Sequence, residues 1–167
     1  MPQLGLTDYR ELMVFSLAVG LFFTIPIFTL IFARLLFEKA MPEVLQPTLL
    51  ILVAPFAVGY SSYQTIANSN DLFAHSLYIL AMFLLVVLLR QLWRTPRTRF
   101  HMTWWATSFP LAACAIAALN FSILNPTITA KIIAWIVLAL STTVITAVSL
   151  LTVKLLVSGK LRHASSE

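Results

Sequence analysis

Residues 104–120 read WWATSFPLAACAIAALN. A tryptophan pair opens the stretch, a proline follows a phenylalanine inside it, and alanine makes up most of the remainder. No charged residue interrupts it, and it lacks the alternation of a barrel strand. It reads as part of an apolar helix with a proline set about eight residues in. Proline removes a backbone donor and its ring clashes with the carbonyl four residues back, so Pro110 is expected to disturb Ala106. In hydrocarbon, such a break is tolerated where protein or a water-filled cavity covers it. The stretch therefore predicts a membrane helix turned away from lipid.

The whole chain agrees with that solvent. Of its 167 residues 60% are hydrophobic and 10% charged, and the mean hydropathy is +0.92. Ordinary soluble domains are about 45–50% apolar and about 25% charged. Spanning helices need about 20 mainly apolar residues, and five segments supply them: 12–33, 47–66, 72–93, 103–123 and 129–157, followed by a basic tail, 158–167. The reading is an all-α polytopic membrane protein forming a single membrane domain over 1–167, with lipid as its surroundings. The first segment is too long for a signal-peptide core and lacks a cleavage pattern.

The net charge of +5 reads as a topology signal. With sides assigned by alternation, one side holds Arg34, Lys39, Arg90, Arg94, Arg97, Arg99, Lys154, Lys160 and Arg162, and the other holds Arg10 and Lys131. The positive-inside rule predicts a cytoplasmic C-terminus and an outside N-terminus, in the plasma (inner) membrane. Trp93, Trp104 and Trp105 then fall at the inner interface and Trp135 toward the outer one. No nucleic-acid recognition module can be read, so nucleic acid is not an expected partner.

A second proline repeats the arrangement of the first. Pro55 and Pro110 each lie about eight residues into a helix running outward, and each helix is followed by a more lipophilic returning one. Two such hairpins follow one unpaired helix, 12–33, whose partner is expected upstream of Met1. The hydroxyl stripes Thr142/Thr146/Ser149 and Ala139/Thr143/Ala147 read as helix packing. Phe22, Phe23, Phe28 and Phe32 read as packing or lipid-facing rings. The single cysteine, Cys114, has no intrachain partner. His75, His101 and His163 make no metal-ligand spacing.

Away from the helix ends no Asp, Glu, Lys or Arg lies in the five segments, Arg90, Lys131 and Lys154 falling within three residues of an end, whereas proton relays and ion-coupled pumps carry such groups. Phosphate loops, nucleophile-and-base sets and paired carboxylates are missing too. The sequence predicts no enzyme, catalytic residue, cofactor or metal site. A pathway here would be built from apolar side chains and interrupted backbone.

WWATSFPLA at 104–112, PTLLILVAPFAVGYSSY at 47–63 and the basic loop RTPRTRF at 94–100 together resemble the tellurite-resistance/dicarboxylate transporter family, which includes bacterial TehA and the plant slow-type anion channels. The resemblance implies a pore of ten helices in five hairpins, usually assembled as a trimer. This chain matches its C-terminal half, helices six to ten, with the N-terminal half missing. It implies small inorganic or organic anions as cargo. It also implies that Phe109 is the pore gate, with Phe121 a second aromatic on the same helix. Pro55 and Pro110 are then pore shapers, and Phe56 and Gly59 lining candidates. Two alternatives stand beside an anion channel: an ion-coupled C4-dicarboxylate, sulfite or tellurite carrier, and an inactive half-pore needing a partner polypeptide.

Overall fold

In the computed structural model, residues 4–37, 42–94 and 100–158 are described. All regular elements among them are helical. Helix α1 spans Leu4–Phe37, α2 Ala54–Ala67, α3 Leu72–Arg94, α4 Ser108–Leu124 and α5 Ile128–Val157. Two 3₁₀ segments, Glu43–Val53 and Met102–Thr107, run directly into α2 and α4. Counting each 3₁₀ segment with its α-helix, five helices are long and apolar enough to cross a membrane. The chain is a multi-pass membrane protein. Lys39, Arg97, Arg99, Lys160 and Arg162, and the side chains of Trp93 and Arg94, lie outside the described residues, so most of the expected inner-side charge does too.

The two prolines expected about eight residues into a helix stand instead where 3₁₀ winding gives way to α-helix. Pro55 and Pro110 sit in the first turns of α2 and α4, where an α-helix needs no donor from its own N–H groups. Upstream, the chain winds more tightly. The Ala54 N–H donates to the Ile51 carbonyl, which in a continuous α-helix would look to residue 55, a proline without an N–H. Before Pro110 the Ser108 N–H donates to the Trp105 carbonyl. Hydroxyls help as well: Thr107 Oγ1 donates to the Trp104 carbonyl and Ser108 Oγ to that of Trp105, both at 2.7 Å. The Ile51 carbonyl, which loses its α-helical donor to Pro55, is thus served by an i→i+3 bond, and the Trp104 and Trp105 carbonyls just before Pro110 gain hydroxyl donors, as suits a membrane interior. The first 3₁₀ run, 11 residues long, far exceeds the usual three or four.

The hairpin ends follow from local chemistry. Asn68 closes α2 in the left-handed conformation, φ 48°, its N–H donating to the Gln64 carbonyl; a short polar side chain tolerates that backbone best after glycine. Asp71 caps α3, accepting from the Ala74 N–H at 3.0 Å and from the Tyr63 hydroxyl at 2.5 Å. Thr127 caps α5, accepting from the Ala130 N–H at 3.2 Å. These short connections make α2–α3 and α4–α5 antiparallel hairpins.

Burial separates the layers. Half of the best apolar window of 44–67 and 44% of that of 102–124 are buried, against 6% for α1 and 17% for α5. The spans bearing Pro55 and Pro110 are the inner pair, with α3 following closely at 39%, while the least buried helix, α1, carries Pro26; α4 packs along both α2 and α5. The packing face of α4 is small: Ala113, Cys114, Ala115, Ala117 and Ala118 are all buried, which lets backbones approach closely. At the other end of the hairpins the two 3₁₀ segments lie together, Thr103 Oγ1 donating to the Val44 carbonyl at 2.7 Å. Trp105 Nε1 donates to Thr152 Oγ1 at 2.9 Å, tying the second 3₁₀ segment to α5.

The hydrogen bond from Tyr63 and, after it, that from the Ala74 N–H hold the Asp71 carboxyl below the usual carboxylate range. A depressed folded value means that the contribution is fully present above the unfolded carboxylate value and is lost as pH falls through the folded one. Asp71→Ala should lower the thermal midpoint in detergent at neutral pH, and the gap from the unsubstituted protein should narrow on acidification below the carboxylate range. A gap that is constant down to strong acid would show that Asp71 does not act through its charge.

Candidate functional site

Two faces of the inner helices are left without partners. On α4, Phe109, Ile116 and Ile123 are 61%, 55% and 74% exposed, and their spacing of seven places them on one stripe. On the first 3₁₀ segment and α2, Ile51, Val58 and Thr65 are exposed at the same spacing. Phe109 owes its position to its neighbours. Pro110 and Leu111, the next two residues, are buried, and Ser108 is bonded back onto Trp105. The ring therefore projects from a fixed first turn.

The other residues singled out in the sequence fall in two places. Pro55 and Gly59 line an open cavity of about 790 Å³ between α1 and α2, with Leu17, Leu21, Val58 and Ser62 among the residues around it. Gly59 is where these helices come close: a β-carbon there would lie 3.3 Å from Leu21 Cδ2. Phe56 turns onto α1 and meets Phe28 edge to face at 5.4 Å. Phe121 stacks on Tyr78, centroids 4.0 Å apart and planes within 7°. It also touches Tyr60 at 6.4 Å and His75 at 5.1 Å. Pro110 is buried, and nothing brings Phe109 and Phe121 together.

Sequence reading missed the cluster of Tyr60, Tyr78, His75 and Phe121, because its members come from three helices and no spacing links them. It also missed how the membrane hydroxyls are used. Around the cavity, Ser16, Thr24, Ser61 and Thr65 each donate to a carbonyl one turn back in their own helix, which removes them as free polar groups. Ser62 on α2 and Asn120 on α4 are half-buried and make no hydrogen bond to a described residue. Among the described residues no group of three His, Cys, Asp or Glu could hold a metal ion. The site is an apolar wall carrying an exposed ring and a few uncharged polar groups.

A family model described as voltage-dependent anion channel matches residues 2–153. The S-type anion channel SLAH2 of Arabidopsis thaliana is 28% identical over 144 residues, covering 86% of this chain and 28% of SLAH2. SLAH3 of the same plant is 26% identical over 144 residues, covering 86% of this chain and 23% of its own length. The guard cell S-type anion channel SLAC1, also from Arabidopsis thaliana, is 23% identical over 114 residues, 68% of this chain and 20% of that protein. The chain thus spans about a quarter of the length of these relatives. No solved structure matches it significantly.

Proposed function

The chain belongs to the voltage-dependent anion channel family, and from that premise we propose that it forms part of the wall of an anion-conducting pore whose gate is the Phe109 ring. The observation that carries this reading is an aromatic side chain, 61% exposed, held by a buried proline at the start of an inner helix. A ring set across a narrow apolar passage closes it sterically and by expelling water. Pro55 and Pro110 shape the wall by fixing where 3₁₀ winding gives way to α-helix. Phe56 and Gly59 seat α2 against α1, and the Phe121 stack sets the height of α4 against α2 and α3.

In this reading the pore follows the TehA-like plan, with small inorganic or organic anions as its cargo. The rest of the wall comes from polypeptide beyond this chain, continuous with it or separate, and the complete form is a homotrimer in the plasma membrane. The C-terminus lies on the cytoplasmic side and the N-terminus outside. Passive conduction is favoured over ion-coupled carriage because every charged side chain of the described spans lies within three residues of a span end, leaving none at mid-membrane depth.

The test is anion flux in vesicles carrying the protein in the assembly isolated from its own membrane. Flux that follows the imposed voltage without saturating is expected. Saturable uptake that moves protons would replace the channel with a carrier. No flux above empty vesicles would leave an inactive half-pore.

A further inference from the structure

Ser62 and Asn120 each stand on the free face of an inner helix. Ile51, Pro55, Val58, Ser62 and Thr65 follow one another at spacings of four, three, four and three along the free face of the first inner helix. On α4 the corresponding face runs through Phe109, Ile116, Asn120 and Ile123. The Tyr60–Phe121 ring contact brings these turns of α2 and α4 side by side. The other hydroxyls around the cavity that Ser62 lines are committed to backbone carbonyls, while Ser62 and Asn120 are not hydrogen-bonded to described residues.

An uncommitted hydroxyl offers one donor and a side-chain amide two. An anion entering an apolar passage loses hydrogen bonds to water. Fixed charges would hold it too firmly to leave, because conduction needs sites strong enough to admit the ion and weak enough to release it. Uncharged donors meet both demands. They reduce the dehydration penalty more for a small, strongly hydrated anion than for a weakly hydrated one, because the former accepts stronger hydrogen bonds.

We propose that Ser62 and Asn120 are paired hydrogen-bond donors on the pore wall that replace part of the hydration shell of the passing anion and so set which anions pass. The inference rests on the conducting role proposed above.

The experiment compares chloride with thiocyanate flux in the same vesicles for the unsubstituted protein, Ser62→Ala, Asn120→Leu, and the conservative Ser62→Thr and Asn120→Gln. Each donor-deleting substitution should lower the chloride-to-thiocyanate permeability ratio by about threefold or more, a part of the roughly tenfold or greater loss expected when a hydrogen bond to a charged partner is removed, since thiocyanate loses some of it too. The conservative pair should retain the ratio. Protection of the buried Cys114 thiol from a membrane-permeant maleimide reports whether each variant is folded. If anions flow through folded variants and the ratio is unchanged, the donor role is overturned while conduction stands. If the unsubstituted protein carries neither anion, the conducting role fails and this inference with it.

Discussion

Phe109→Ala should raise anion flux on the order of tenfold, which corresponds to lowering the barrier to passage by about 1.4 kcal/mol. The ring is mostly exposed, so its removal opens space without hollowing a core. Exposed positions of this kind usually tolerate substitution within about 0.5 kcal/mol of stability. The helix around it should hold because Pro110 and Leu111 remain buried and Ser108 still bonds to Trp105. Phe109→Leu should fall between the two, as its side chain narrows the passage but is shorter than the ring. The readout is voltage-driven chloride flux per inserted protein, alongside the thermal midpoint. Unchanged flux in a folded alanine variant would sink the gate. A large fall in the midpoint would instead show that the ring is a packing residue.

The same region shows what the sequence could and could not reveal. WWATSFPLA and PTLLILVAPFAVGYSSY were legible as membrane helices and as carriers of the family resemblance, because an apolar run of that length has one solvent and two ordered motifs are hard to match by chance. The family match over residues 2–153 agrees with them. The alternation of inner and outer helices was legible only in part: the spans of Pro55 and Pro110 are the most buried, but α3 follows at 39% and α1, the least buried, carries Pro26. Winding was not legible. A proline tells which carbonyl loses a donor, but whether the chain kinks there or tightens into a 3₁₀ segment depends on its neighbours, such as Thr107 and Ser108, whose hydroxyls bond the carbonyls of Trp104 and Trp105. The Tyr60–Tyr78–Phe121 cluster was equally hidden, because it is made by the packing of three helices. The χ1 rotamer decides whether Ser62 is spent on a carbonyl as Ser61 is, and adjacent serines look alike in a sequence.

The alanine face of α4 leads to the other large effect, this time on stability. Ala118 is fully buried, and Ala117, Cys114 and Tyr60 beside it in the core are buried to the same degree. Small residues here are what bring α4 close to its neighbours, so added volume must push helices apart or force side chains off their rotamers. Ala118→Phe should cost about 1–3 kcal/mol, a fall in thermal midpoint of roughly 4–8 °C for the middle of that range at this chain length. It should also make Cys114, now shielded, react with a membrane-permeant maleimide. Ile116→Phe is the matched control: it adds an aromatic ring on the same helix two residues away, on the free face where Ile116 is 55% exposed. Its midpoint and Cys114 protection should stay near those of the unsubstituted protein, though it stands on the proposed pore wall and should narrow the passage. The two substitutions therefore separate the roles of one helix. The alanine side governs whether the inner helices hold together, and the side bearing Phe109, Ile116 and Asn120 governs what passes between them. Equal loss of stability from both would mean that the free face of α4 is packed in the assembled protein, and the pore wall would have to be sought on another helix.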